Sequence, residues 1–223
     1  MQNIWFTSDT HFHHKNIVRG TTSWENPGNK VRNFDTLEEH DETLINNFNA
    51  LIKPDDILYH LGDWSFGGHE QIKIFRNRLN CKNIHLIFGN HDQNIEPINS
   101  SYKECFLSCQ HYKQESFKIP SVQSGKYGKT QIIMSHYAMR VWNNSHHGSI
   151  MLYGHSHGTL DEMTPNIANP TWIGDQYFIK NYRTMDVGVD THNLYPYHLD
   201  EIIDIMKNRE LTLEIDHHNS KTN

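Results

Sequence analysis

Apolar residues fall into short runs along this chain, each stopped by a polar cluster. Ile4-Trp5-Phe6, Ile57-Leu58-Tyr59, Ile84-His85-Leu86-Ile87-Phe88, Ile132-Ile133-Met134 and Ile150-Met151-Leu152-Tyr153 are short, β-branched and aromatic, and predict buried strands. Between them the apolar period lengthens to that of a helix. Leu37, Leu44, Ile45, Phe48, Leu51 and Ile52 predict one helical face, opened by a capping-box-like Asp35 and Glu38 and closed by Pro54. A second helix buries Ile72, Phe75 and Leu79 and turns Lys73, Arg76, Arg78 and Lys82 to solvent. Residues 105–134 predict short antiparallel strands, Met185 to Val189 a late strand, and Leu199, Ile202, Ile203 and Met206 a last helix. Strands alternating with helices place the chain in the α/β class.

The residues that end the strand runs carry the chemistry. The first run leads to Asp9 and His11, the second to Gly62-Asp63, and the third to Gly89-Asn90-His91-Asp92. The fourth leads to His136, and the fifth to Gly154-His155-Ser156-His157. Open α/β sheets bind ligands outside the carboxyl ends of their strands, which is where all five clusters sit. If the first strand persists to His11, Asp9 and His11 share one face. Together Asp9, His11, Asp63, Asn90, His136, His155 and His157 form a mixed nitrogen and oxygen set without cysteine. That set disfavours a structural thiolate zinc site and suits Mn²⁺, Fe or Zn²⁺. Seven donors exceed one tetrahedral ion, whereas two ions sharing a carboxylate need about this number.

Composition narrows the partners. The 223 residues, 36% of them hydrophobic, suffice for one domain, expected over residues 1–215, with a frayed polar tail at 216–223. No apolar run nears the roughly 20 residues of a membrane helix. Met1-Gln2-Asn3-Ile4 lacks a basic start followed by an apolar stretch, so no signal peptide is expected and the protein is expected to be cytoplasmic. Three cysteines without a C-x-x-C pair fit free thiols in a reducing compartment. A net charge of −6 argues against long nucleic acid held by charge. It leaves open a small phosphorylated or nucleotide substrate, because bound metal ions reverse the local field.

Asp9-x-His11, Gly62-Asp63, Gly89-Asn90-His91-Asp92, His136 and Gly154-His155-Ser156-His157 resemble, in order, the motifs of the calcineurin-like metallophosphoesterases. Asp9-Thr10-His11-Phe12, Asn16-Ile17, Asp55-Asp56, Leu61-Gly62-Asp63 and Gly188-Val189-Asp190 extend the likeness to a small bacterial and phage-type branch, over nearly the whole chain. The resemblance implies a four-layer αββα sandwich of two mixed sheets flanked by helices. It implies two divalent ions, Mn²⁺ first, with Fe, Zn²⁺ or Ni²⁺ as alternatives. Asp9, His11 and His157 would hold one ion, Asn90, His136 and His155 the other, and Asp63 would bridge. A bridging hydroxide would attack phosphorus, His91 would assist the leaving group, Asn90 would stabilise phosphoryl charge, and Asp92 would orient His91. His14, Arg19, Arg140 and His147 are candidate substrate contacts. The expected substrates are small phosphodiesters such as cyclic or short nucleotides. Phosphomonoesters, phosphoproteins and longer nucleic acids are alternatives, and a metal-stabilised binding protein without turnover is the rival of another class. Two features depart from the family pattern: His13 and His14 stand side by side, and residues 158–182 are long for the branch and rich in aromatics such as Trp172 and Tyr177. That segment either folds over the site and shapes substrate choice or packs on the surface as an insertion.

Overall fold

The computed structural model describes residues 2–21, 31–97, 100–119, 129–160 and 183–208. Most of the long segment singled out above, with Trp172 and Tyr177, lies outside them, as does the polar tail. Two mixed sheets carry the fold. The first contains β1 (Ile4–Thr7), β2 (Ile57–His60), β3 (Asn83–Ile87), β4 (Ser108–Gln110) and β9 (Tyr197–His198), in the order β4-β3-β2-β1-β9. β1 to β4 run parallel and β9 is antiparallel to β1. The second sheet orders β5 (Tyr112–Lys118), β6 (Lys129–Ser135), β7 (Ile150–Tyr153) and β8 (Thr184–Asp186) as β5-β6-β7-β8. Its first pair is antiparallel and the other two are parallel. The expected run of antiparallel strands over residues 105–134 is therefore divided. β4 joins the first sheet in parallel, and only β5 and β6 form a hairpin.

Strand alternation builds the layers. Trp5, Leu58, Ile84 and Leu86 pack with Leu44, Ile45 and Phe48 of α1 (Leu37–Leu51) and with Ile72 and Phe75 of α2 (His69–Arg78). The opposite faces, Phe6, Tyr59 and Ile87, meet Ile132, Met134, Ile150 and Leu152 of the second sheet. Ile202, Ile203 and Met206 of α3 (Leu199–Lys207) seal the same layer. Ile133, Met151 and Tyr153 point outward from the second sheet and are covered by Trp142 of the β6–β7 loop. The result is an α/β sandwich of two mixed sheets with helices, as the family resemblance implies.

Two helix details differ from expectation. The capping box uses Thr36 and Glu39, one residue later than Asp35 and Glu38: Thr36 Oγ1 accepts from Glu39 N at 3.1 Å, and Glu39 Oε2 accepts from Thr36 N at 3.3 Å. Leu51 is exposed, while the polar His40 and Asp41 are buried on the α1 face that meets the site. Among the described residues no helix is long and apolar enough to cross a membrane.

Candidate metal centre

The loops after β1, β2, β3, β6 and β7 converge at one end of both sheets. Backbone conformation marks the place. Of the nine non-glycine residues with positive φ among the described residues, five are candidate ligands: Asp9 (56°), His11 (44°), Asp63 (57°), His155 (68°) and His157 (48°). Left-handed backbone is costly for residues with a Cβ, and such strain concentrates at functional sites. It also corrects the route by which Asp9 and His11 converge. β1 stops at Thr7, so tight left-handed turns aim the two side chains, not strand alternation. The turns are zipped to the next loop by Asp9 N to Gly62 O (2.9 Å) and His11 N to Asp63 O (3.0 Å). Gly154 is required by close approach: a Cβ there would collide with Ser8 Oγ and Asp9 Oδ2.

Two donor groups result, Asp9 with His11 and His157, and Asp63 with His136 and His155. Within each, one ligand atom per residue lies within 4.8 Å of the others. Asp63 stands between them. Its Oδ2 is 3.4 Å from His11 Nε2 and 3.5 Å from His136 Nε2. Asn90 Oδ1 completes the second group, 3.0 Å from both His136 Nε2 and His155 Nδ1.

The donor chemistry fits cations. Asp9 Oδ1 is buried without a hydrogen-bond partner, and burial pushes the carboxyl up to about 8 although neighbouring His157 pulls the other way. His136 Nδ1 sits 2.7 Å from Leu61 O, which can only accept, so Nδ1 carries the proton and the Nε2 lone pair faces Asp63 and Asn90. His157 Nδ1 lies 2.5 Å from Asp190 Oδ2, and its Nε2 faces Asp9 and His11 Nε2, the latter 3.2 Å away. Burial lowers the pKa of His157, but the bond to Asp190 and the charges of Asp9 and Asp190 outweigh it and raise the group above the ordinary histidine value, so a cation on the ring or at this position is favoured. Burial and the surrounding cationic groups hold His11 well below the usual histidine range. The His11 imidazole, the His157 Nε2 beside it and the unpartnered Asp9 Oδ1 face one space, a donor set that suits a divalent ion.

The supporting residues differ from the expected roles. Asp92 does not spend its carboxylate on the His91 ring. It accepts from the backbone amides of Gly89 (2.8 Å), Asp63 (2.9 Å) and Trp64 (2.9 Å), clamping the β3 loop to the β2 loop. Burial pushes this carboxyl up to about 7 against those three bonds. The His91 ring is exposed at the mouth, 4.7 Å from Phe66 and 5.4 Å from His11 between centroids, and its backbone N donates to Asp63 Oδ1 at 2.9 Å. His14 stacks on Phe66 at 3.6 Å, so it belongs to the same rim. Tyr137, half exposed, lines the other side, 4.7 Å from His155, with its hydroxyl donating to Asn90 Oδ1 at 3.4 Å. Arg19 is exposed, and among the described residues no bond joins its side chain to either group. Arg140 and His147 are exposed on the β6–β7 loop. Sequence reading passed over Arg32, whose side chain is fully buried and paired with Asp190. Its surroundings, polar and broken by Gly20, Pro27 and Gly28, read only as loop. Burial alone would raise the Asp190 carboxyl; the Arg32 guanidinium and a hydrogen bond from His157 outweigh it and hold the group far below the ordinary range.

Comparison with known proteins bears on the family and the fold. Residues 3–174 match the family model of the calcineurin-like phosphoesterase superfamily domain. The chain is 28% identical to the Gene 66 protein of Mycobacterium phage L5 over 72% of this chain and 80% of that one. It is 25% identical to the Gene 66 protein of Mycobacterium phage D29 over 94% and 98%. It is 36% identical to the protein MJ1445 of Methanocaldococcus jannaschii over 42% of this chain and 48% of that one. The fold matches the crystal structure of the protein AQ665 of Aquifex aeolicus with a TM-score of 0.60 at 22% identity, over 92% of this chain and all of that one.

Proposed function

This chain belongs to the calcineurin-like phosphoesterase superfamily, and from that premise we propose that it is a hydrolase of phosphate esters working with two divalent ions, Mn²⁺ first among them. The observation that carries the reading is the position of Asp63 Oδ2, nearly equidistant from His11 Nε2 (3.4 Å) and His136 Nε2 (3.5 Å). One carboxylate oxygen placed between two sets of lone pairs is the arrangement a pair of ions needs. Asp9, His11 and His157 would hold one ion, and Asn90, His136 and His155 the other, with Asp63 available to both. When bound, the ions supply Lewis acidity and an activated water for in-line attack on phosphorus.

The chain's own residues supply the rest. His91 projects from the loop that carries Asn90, stays solvent-facing and is outside both donor groups, so its imidazole is free to meet a leaving group at the mouth and to give that oxygen a proton. Asp92 keeps the Gly89 and Asp63 loops at fixed separation, so the two donor groups stay in register. The aromatic rim favours esters with a flat group next to phosphorus. His14 on Phe66 and the exposed Tyr137 flank the two sides, which supports small nucleotide diesters as substrates. The test is a screen of the Mn²⁺-loaded protein against cyclic nucleotides, dinucleotides, alkyl monoesters and phosphopeptides. Fastest turnover on a nucleotide diester supports the reading. Preference for monoesters or phosphopeptides refutes the diester assignment, and tight metal binding with no hydrolysis of any ester refutes the enzyme assignment.

A further inference from the structure

Arg32 and Asp190 meet in the interior across 158 residues of chain. Both side chains are essentially inaccessible, at 0% and 1%. The contact is a two-pronged fork: Arg32 Nε to Asp190 Oδ1 at 2.7 Å and Arg32 Nη2 to Asp190 Oδ2 at 2.8 Å. Arg32 also donates to the backbone carbonyls of Asp9 (2.6 Å) and Thr10 (3.1 Å), which lie in the ligand turn itself. Its Nη1 donates to His40 Nε2 at 2.8 Å, which places the His40 proton on Nδ1, facing Asp41. Every direction of the guanidinium is used, and the remaining capacity of Asp190 is spent on His157 Nδ1.

The pair serves one donor group and not the other. Asp190 touches His157, and Arg32 touches the Asp9 turn. The second group is held by different atoms: Leu61 O on His136 Nδ1, and the amide clamp of Asp92 on Asp63. A carboxylate on the far nitrogen of a ligand histidine fixes its tautomer and ring orientation and makes the other nitrogen a better donor. A carboxylate alone in the interior would be costly, and the bidentate arginine compensates its charge.

We propose that Asp190, locked in place by Arg32, is a positioning residue for His157, and that the pair sets the affinity of the Asp9–His11–His157 group for its ion while leaving the other group unaffected. The proposal rests on the two-ion reading above, but its test reads metal binding and proton position, not turnover. Mn²⁺ is titrated into metal-free full-length protein by calorimetry in two backgrounds. His136→Ala disables the second group and His11→Ala the first. Asp190→Asn is expected to weaken Mn²⁺ roughly 10- to 100-fold in the His136→Ala background and to change it little in the His11→Ala background. Equal weakening in both backgrounds, or none in the first, overturns the proposal. A readout on the wild-type chain does not depend on the variants folding. The ¹⁵N spectrum of histidine-labelled, metal-free protein should show a proton on His157 Nδ1 throughout a pH titration, and a neutral ring with its proton on Nε2 and Nδ1 bare overturns the proposal as well. Lack of ester hydrolysis by the wild-type protein would refute the phosphoesterase reading and leave both of these results standing.

Discussion

Asp92 offers the sharpest separation between a residue that touches the reaction and one that builds the site. Its carboxylate, 2% exposed, takes three backbone N–H groups at 2.8–2.9 Å. Removing it by Asp92→Ala leaves three buried amides unpaired, each costing about 1–3 kcal/mol. Partial relaxation and entering water reduce the sum, so a loss of about 3–6 kcal/mol is expected, in the range that marks a severe substitution. Asp92→Asn keeps one acceptor oxygen but sets an NH₂ against an amide hydrogen, and the burial penalty on the charge that it removes offsets part of the loss, so about 1–3 kcal/mol is expected. Urea unfolding with chelator present measures both without a contribution from bound ions, and the unfolding slope should not change. The losses should appear in stability and in metal affinity of the Asp63 group together. An Asp92→Asn protein of wild-type stability that has lost only turnover would refute this reasoning, because it would return the carboxylate to the role of orienting His91.

Three further outcomes follow from the same geometry. Asp63→Asn should leave fewer than two ions per chain by elemental analysis and cost more activity than the roughly 10- to 100-fold typical of a supporting residue; two retained ions with near-normal turnover would contradict the shared position. His91→Asn should slow esters with a ribose or alkyl leaving group by about 10²- to 10⁴-fold and nitrophenyl esters far less, with both ions kept; equal losses would mean that the ring positions phosphate. Asp56, remote from the ligands at the start of β2, is pushed up by burial, but bonds from Lys53 N (3.0 Å), Asn3 N (2.9 Å) and Trp5 Nε1 (3.2 Å) outweigh that and lower it from 3.8. Its stabilisation is therefore complete above that ordinary value and lost as pH falls through the lower folded value. Asp56→Asn should cost about 1–3 kcal/mol at neutral pH. Urea midpoints should show the gap closing in acid; a gap that widens in acid would reverse the sign argued here.

The candidate donors that the structure gathers were legible because each follows a short apolar run, and a run that ends abruptly in Asp, Asn or His is visible without any partner. Partners were not legible. Asp190 was visible only inside Gly188-Val189-Asp190, and Arg32 had no periodic neighbour to mark it, since the bond between them spans the fold. Periodicity reports which face a residue uses and not which strand lies beside it, so β4 was expected in a hairpin and instead extends the first sheet. The left-handed turns at Asp9 and His11 escaped for a related reason. Asp and His adopt such φ values more readily than most residues, yet only in a minority of cases, so nothing in the sequence marks the turns; the bonds to Gly62 and Asp63 hold them.

The central claim is that two ions sharing Asp63 perform ester hydrolysis, and a joint titration tests it most directly. Metal-free protein receives Mn²⁺ in fractions of an equivalent while hydrolysis of a nucleotide diester and bound metal are followed together. The account predicts little turnover up to about one equivalent, a steep rise between one and two, and a plateau at two. A plateau reached at a single equivalent, or two tightly bound ions with no hydrolysis, would contradict it.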